Sequence, residues 1–359
     1  MRLDTMGDVL MTTPAMRALK STLPGRSLTL LTSSAGADVA PFIPEVDDVI
    51  AYEAPWLKAT TARTSGDPDR TMIDRLRADR FDGAVIFTVY SQSALPGALL
   101  CYLSDIPLRL AHCRENPYLL LTDWIVESEP DRLIRHEAQR QLDLVASIGA
   151  TTGDRRLSFL VPDEARVAVA RLLAGEGVNT TSPWVVVHPG ASAPSRRYSA
   201  RGYAAVADRL IRDRGWQVVF TGSAAEVGLV AEITSMMAEP AVSVAGRLGL
   251  AELGALIDAA PVIVSNNTAP VHIAAAVGTP VVDVYALTNP QHTPWEVENR
   301  VLSHDVPCKF CYKSMCPEGH HNCLELVSPQ SIVDAAAELA GASGPAEHFG
   351  IANLPVQPS

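Results

Sequence analysis

Two α/β domains, each a parallel sheet covered by helices on both faces, are what this 359-residue sequence predicts, and three features predict them. Short apolar strands alternate with amphipathic helices, the pattern of repeated βαβ units. Strands end in turns of small polar residues that open directly into helices. The length, with 47% apolar residues, suffices to bury two cores of ordinary size.

In chain order, strands are expected near Leu28 to Thr32, Asp48 to Tyr52, Gly83 to Thr88, Trp184 to His188, Gln217 to Thr221, Val262 to Ser265 and Val281 to Tyr285. Helical stretches rich in Ala, Leu, Arg and Glu lie between them, and a capped helix is expected from Ser328 to Leu339. The domain boundary is expected between Gly149 and Pro183, where a strand-like Leu157 to Val161 leads into a helix from Pro162 to Leu173. This gives domains over 1–165 and 166–340. Residues 341–359, rich in Gly, Pro and Ser, are expected to form a flexible tail. No internal repeat is visible.

The formal net charge of −11 argues against nucleic acid as a partner and gives no general attraction to anionic lipid. No run of eighteen apolar residues occurs and the amino terminus does not resemble a signal peptide, so a cytoplasmic location is expected. Arg63, Arg70, Arg75, Arg77 and Arg80 form a candidate basic patch for peripheral contact with a membrane face, against the simpler reading of ordinary exposed helix charges.

Three stretches carry chemistry. Val264 to Val282 reads as an apolar strand, a small polar turn and a helix. The first N–H groups of such a helix lack internal partners and its dipole faces the turn, so an anion fits there. Asn267 or Thr268 would cap the helix, Pro270 suits its first turn, and His272 points back to the same place. Val185 to Arg201 reads as a β-branched strand, a Gly/Ser/Pro turn and then Arg196 and Arg197, suited to gripping a diphosphate. The opening run from Arg2 to Leu10, with Thr12, Thr13 and Pro14 after it, places the carboxylate of Asp8 at a strand–helix turn.

These stretches resemble the motifs of glycosyltransferase family 9, the ADP-heptose:lipopolysaccharide heptosyltransferases. The family has a nearly identical opening, a His-Pro-Gly-Ala-Ser turn followed by Lys-Arg-Trp, and a Ser-Asn-Asp-Thr-Gly-Pro-x-His run before an Ala-rich helix. Smaller similarities fill the interval: His136, Glu137, Arg140 and Gly149; Thr221, Gly222, Ser223 and Glu226; and Ala245 to Leu248. The resemblance implies a GT-B fold, two Rossmann-like domains facing a central cleft, with the acceptor on the amino-terminal side and the donor on the carboxy-terminal side. It implies inverting transfer of a heptose from ADP-heptose to a glycan hydroxyl, in the lipopolysaccharide core or on another glycan, lipid-linked, protein or small-molecule acceptor, with another nucleotide sugar as the alternative donor.

Carried over residue by residue, Asp8 becomes the general base and Arg196, in the lysine position, the group beside the leaving diphosphate. Gly7, Ser192, Arg197, Thr221, Gly222, Asn267, Thr268, Ala269 and His272 become donor-binding residues. Asn267 and Ala269 depart from the family's Asp and Gly, which keeps a hydrogen-bonding group at 267 and removes its charge. The family also places four or five apolar residues before the Arg-Leu-Asp. This sequence starts at Met1: either the natural start lies upstream, or the chain has been trimmed, or the protein lives without most of that strand, in which case unpaired ladders and instability are expected.

Four cysteines cluster as Cys308, Cys311, Cys316 and Cys323, with His320 and His321 inside the last gap. Such density in a cytoplasmic chain suggests a metal before a disulfide, and a structural zinc or iron is a candidate. Transfer itself is expected to require no cofactor. Two other classes were weighed. A Rossmann-type dehydrogenase or epimerase lacks its Gly-x-Gly-x-x-Gly after a strand. A non-catalytic sugar-nucleotide binder would have no use for Asp8 on the acceptor side.

Overall fold

Every paired strand lies parallel to its neighbours, as expected where helices cover a sheet on both faces. The computed structural model describes residues 1–57 and 60–341, so the expected tail beyond Gly341 lies outside the described residues. The chain divides between Ser158 and Phe159 into two units.

The first unit runs through α1 (Met6–Thr22), β1 (Thr29–Thr32), α2 (Ser34–Val39), β2 (Asp48–Ala51), α3 (Asp67–Asp79), β3 (Gly83–Ile86), α4 (Leu95–Leu103), β4 (Leu108–Cys113), β5 (Asp123–Val126) and α5 (Glu137–Ala146). β1 pairs with β2, and β3, β4 and β5 pair in that order. Met1 and Arg2 lie between the two groups. Arg2 bridges Thr32 in parallel and its N–H donates to Leu31 (2.9 Å), while the Met1 carbonyl accepts from the Phe87 N–H (2.9 Å). The place expected for a full first strand is thus taken, at this level of the sheet, by two residues.

The second unit runs through α6 (Asp163–Gly175), β6 (Trp184–His188), α7 (Ala200–Arg214), β7 (Gln217–Phe220), α8 (Val227–Met236), β8 (Val242–Ser243), α9 (Leu250–Ala259), β9 (Ile263–Asn266), α10 (Ala269–Val277), β10 (Val281–Val284), β11 (Asn299–Leu302), α11 (Asn322–Glu325) and α12 (Pro329–Gly341). Its six-stranded sheet is ordered β11-β10-β9-β6-β7-β8. The chain winds outward from β6 in one direction and then from β9 in the other, so the order reverses between β6 and β9. A sheet of this kind binds ligands at the carboxyl ends of the strands where that reversal opens a crevice. The core beneath is built from fully buried β-branched residues of these strands, among them Val185, Val187, Val262, Val264, Val282 and Val284.

Several expectations are corrected. Leu157 to Val161 forms no strand, and α6 starts at Asp163 because Pro162 stands at its N-cap in extended conformation. β4 was missed because Arg109 and His112 interrupt its apolar pattern, although both are buried there. β5 was missed because it is an edge strand with all four residues exposed, and β8 and β11 because they are short or only half-buried. Four of the five arginines of the candidate basic patch are paired: Arg63 with Asp69, Arg70 with Asp67, Arg75 with Asp79, and Arg77 with Asp74 and Asp105. No helix among the described residues is long and apolar enough to cross a membrane.

Candidate active site

Parallel register brings the carboxyl ends of β6, β7, β9 and β10 level, since Val187 stands opposite both Phe220 and Val264 and Asn266 stands opposite Val284. The loops leaving those ends carry the predicted donor residues. After β6, the chain passes Ser192, which is exposed, and a short 3₁₀ turn over Pro194–Arg196 before α7. Arg196 is half-buried, and its Nη2 donates to Asn289 Oδ1 (3.1 Å). Arg197 is exposed, with Nε donating to the Ala191 carbonyl (2.7 Å). One guanidinium is therefore held against the loop that follows β10, and the other folds back on its own loop.

Asn266 clamps the β6 loop in place. Its Nδ2 donates to the Pro189 carbonyl (2.7 Å) and its Oδ1 accepts from the Tyr198 N–H (3.0 Å). Tyr198, standing where the family has Trp, is buried and donates its hydroxyl to the Val327 carbonyl (2.9 Å). Thr221 is buried at the end of β7, and Gly222 follows it. Glu226 closes a capping box with Ser223, accepting from its N–H (2.7 Å) and hydroxyl (2.9 Å). The same carboxylate presses against Gly190, where an added Cβ would come within 1.9 Å of Glu226 Oε1. A larger residue there would have to displace the Glu226 carboxylate from its cap on Ser223.

After β9 the turn proceeds as Asn267 and Thr268 into α10. Thr268 is the N-cap residue, yet its hydroxyl makes no capping bond and is buried without a partner among the described residues. The expected side-chain cap is thus absent, and the first turn of α10, with Pro270 at its start, stays available to an anionic ligand. Ala269 opens the helix and His272 is buried one turn in. Asn267 turns inward: its Nδ2 donates to Asp283 Oδ2 (2.8 Å) and to the His292 carbonyl (2.8 Å). Asp283, in the middle of β10, is fully buried, and that burial pushes its carboxyl up to about 8 from an ordinary 3.8.

In the first unit, Gly7 and Asp8 lie in the first turn of α1. Asp8 Oδ2 accepts from the N–H (3.1 Å) and hydroxyl (2.7 Å) of Thr5, and its Oδ1 accepts from Arg2 Nη2 (3.1 Å). The helix-capping role therefore falls on the side chain that the sequence marks as the candidate base. Arg2, fully buried, also meets Asp4 (3.1 Å) and Glu137 (2.8 Å). Asp4 in turn accepts from Gln92 Nε2 (2.6 Å), and burial holds its carboxyl above the usual carboxylate range against the pull of Arg2. A cavity of about 310 Å³ opens beside this cluster, lined by Asp4, Gln92, Trp56 and Thr88 among others.

The cysteine segment joins the donor loops. The Ser195 N–H donates to the Ser314 carbonyl (3.1 Å) and its hydroxyl to the Lys313 carbonyl (2.7 Å), while Tyr312 donates through its N–H to the Thr288 carbonyl (3.0 Å). Burial raises the Cys323 thiol, and Cys316, Cys308 and Cys311 add to that rise. Cys308 Sγ lies 4.0 Å from His320 Nε2. Among the described residues, however, no three His, Cys, Asp or Glu side chains converge as a metal ion would need. The segment as it stands braces the loop of Arg196.

The sequence model of glycosyltransferase family 9 (heptosyltransferase) matches residues 70–322, more than half of the chain. The chain belongs to glycosyltransferase family 9. It is similar to lipopolysaccharide heptosyltransferase 2 of Escherichia coli K12, 26% identical over 345 residues that cover 92% of this chain and 94% of the relative. Among solved structures it is similar to the family 9 glycosyl transferase of Veillonella parvula, with a TM-score of 0.77, 22% identity and coverage of 94% of this chain and 95% of that one. It is also similar to the ADP-heptose lipopolysaccharide heptosyltransferase II of E. coli, with a TM-score of 0.72, 24% identity and coverage of 94% and 97%. The fold of this family 9 glycosyltransferase is therefore GT-B, as the sequence predicts.

Sequence reasoning missed Asp283, Asn266, Asn289 and the Arg2 cluster of this glycosyltransferase. Asp283 had a signal: a lone carboxyl among β-branched residues in a strand buried on both faces. Its raised carboxyl has a consequence for stability. The folded protein holds a proton that the unfolded chain releases near its ordinary value, so the folded state binds more protons between about pH 4 and the native value of about 8. Stability should fall as pH rises through that window, by up to about 1.4 kcal/mol per pH unit from this group. Thermal melts from pH 5 to 8 should show a slope that Asp283→Asn removes; an unchanged slope would contradict the assignment.

Proposed function

We propose that this enzyme transfers a heptose from ADP-heptose to a hydroxyl of a glycan acceptor, in the lipopolysaccharide core, with inversion at the anomeric carbon. The observation that carries the reading is similarity over nearly the whole chain to a protein named lipopolysaccharide heptosyltransferase 2, with the donor loops built at the topological switch point. Asp8 takes the proton of the acceptor hydroxyl as that oxygen bonds to the anomeric carbon. The bond to the diphosphate breaks, its electron pair leaves with ADP, and Arg196 stabilises the charge gained there. Gly7, Ser192, Arg197, Thr221, Gly222, Asn267, Thr268, Ala269 and His272 position the donor. The cavity beside Asp4 and Trp56 is the acceptor-side candidate, mixing hydrogen-bonding groups with an aromatic face.

The reading is tested by incubating the chain with ADP-heptose and a heptose-deficient core oligosaccharide and determining the anomeric configuration of the product. Retention, or no transfer from ADP-heptose, would contradict it. Arg196→Ala should lower kcat by about 10²–10³-fold, in the range found when one charge-stabilising donor is removed. A change in KM alone, read from steady-state kinetics, would reduce Arg196 to a binding role.

We place the enzyme in the cytoplasm, a reading supported by cysteines that are all free among the described residues. Peripheral contact with the inner membrane face is a further proposal. The paired arginines of α3 do not support it, whereas the exposed Tyr118, Leu119 and Val126 do. A structural zinc or iron at Cys308, Cys311, Cys316 and Cys323 is likewise a proposal, resting on the spacing of the four cysteines; it takes no part in transfer.

A further inference from the structure

The turn after β9 shows an amide whose orientation is dictated. Asn267 Nδ2 lies 2.8 Å from Asp283 Oδ2 and 2.8 Å from the His292 carbonyl. Both of these are acceptors when the acid is ionised, and a neutral carboxyl still offers its carbonyl oxygen. Only a nitrogen can stand between them, so the two hydrogens of the amide are spent inward. The Asn267 oxygen, on the other branch of the amide, has no partner among the described residues, and the residue sits on the turn between β9 and α10, where the donor is proposed to bind. Its chemistry is that of an acceptor without charge. A hydroxyl donates to it, and a neighbouring diphosphate is not repelled by it as it would be by a carboxylate.

The carboxyl that meets this amide lies on the neighbouring strand, β10. Asp283 is wholly buried in β10, its second oxygen has no partner among the described residues, and its raised carboxyl agrees with a group held largely uncharged. An unpaired buried acid is costly to keep unless it has a task. The task visible here is to fix the amide.

We propose that Asn267 and Asp283 act as a pair in donor selection: Asp283, with the His292 carbonyl, is a positioning residue that locks the Asn267 amide nitrogen-inward, so that its oxygen accepts a hydrogen bond from a hydroxyl of the sugar carried on the nucleotide. This rests on the donor reading above and deepens it. It also accounts for the amide at 267. An acid there would set carboxyl oxygens against Asp283 and the His292 carbonyl where the amide sets two N–H donors.

The test is calorimetric titration of ADP-heptose and of ADP into the wild-type chain and into Asn267→Asp, Asn267→Ala and Asn267→Asp/Asp283→Asn, all at pH 7.5. Asn267→Asp should weaken ADP-heptose about tenfold or more and leave ADP within about threefold, because the lost contact is to the sugar. The double variant, which restores a donor opposite position 267, should recover most of that loss. Asn267→Ala removes the oxygen without adding charge and should weaken ADP-heptose similarly, which keeps the test decisive should Asn267→Asp not fold. A double variant no better than Asn267→Asp, or an Asn267→Ala that binds ADP-heptose as the wild type does, would overturn the pairing. So would a loss of ADP affinity equal to that of ADP-heptose, since it would mean a damaged phosphate turn. A wild-type chain that binds ADP but gains nothing from the heptose overturns the donor reading, and this inference with it.

Discussion

Asp8→Asn is expected to lower transfer by about 10²–10⁴-fold while ADP-heptose affinity stays nearly unchanged. Asp8 is held from both sides, by Thr5 on one oxygen and Arg2 on the other, which fixes its carboxylate on the first turn of α1. The variant keeps the volume and one acceptor oxygen but sets its NH₂ against either the Thr5 donors or the Arg2 guanidinium. It therefore also costs about 1–3 kcal/mol of stability. Thermal melts separate that cost from the kinetic effect, and donor titration separates it from binding. The competing reading of a non-catalytic sugar-nucleotide binder predicts no transfer by the wild type and no consequence of the change. Product formation at an undiminished rate would show that Asp8 only caps its helix.

The second large effect is on the fold. Arg2→Met removes the single cation that joins Asp4, Asp8 and Glu137, with both the arginine and Glu137 fully buried. Breaking a buried ion pair by removing one partner leaves uncompensated charge and costs about 3–5 kcal/mol. Gln141 Nε2, 2.6 Å from Glu137 Oε1, offers only part of a replacement. The expected result in urea denaturation is a loss of that size in the transition of the first unit, accompanied by loss of transfer because Asp8 loses its ion pair with Arg2. A cost below about 1 kcal/mol would mean that the three acids are held by something other than Arg2.

Much of this was legible in the sequence because the chemistry sits on turns that follow strong β-branched strands. Val185 to His188 and Ile263 to Asn266 have both the periodicity and the turn chemistry needed to place Arg196 and Asn267. Elements whose environment, rather than composition, makes them strands were not legible: β4 carries a buried Arg109 stabilised by carbonyls of Ile106, Leu119 and Leu120, and β5 is an exposed edge. Leu157 to Val161 misled because its apolar residues suit a strand, although the segment, with Leu157, Ser158, Phe159 and Val161 buried, makes no ladder. The partners of the named residues were also hidden. His136, Glu137 and Arg140 read as weak similarities, yet Glu137 anchors Arg2 and Arg140 pairs with Glu127, contacts that depend on distant segments meeting. Asp283 was passed over for the same reason, since its meaning depends on meeting Asn267, on the turn after the neighbouring strand.

The central claim is that the second unit is built to hold an ADP-activated heptose. The direct measurement is calorimetric titration of the purified wild-type chain with ADP-heptose, UDP-glucose and UDP-N-acetylglucosamine in parallel. Selective binding of ADP-heptose is the predicted result; binding of a uridine sugar in its place, or of none of the three, would contradict it.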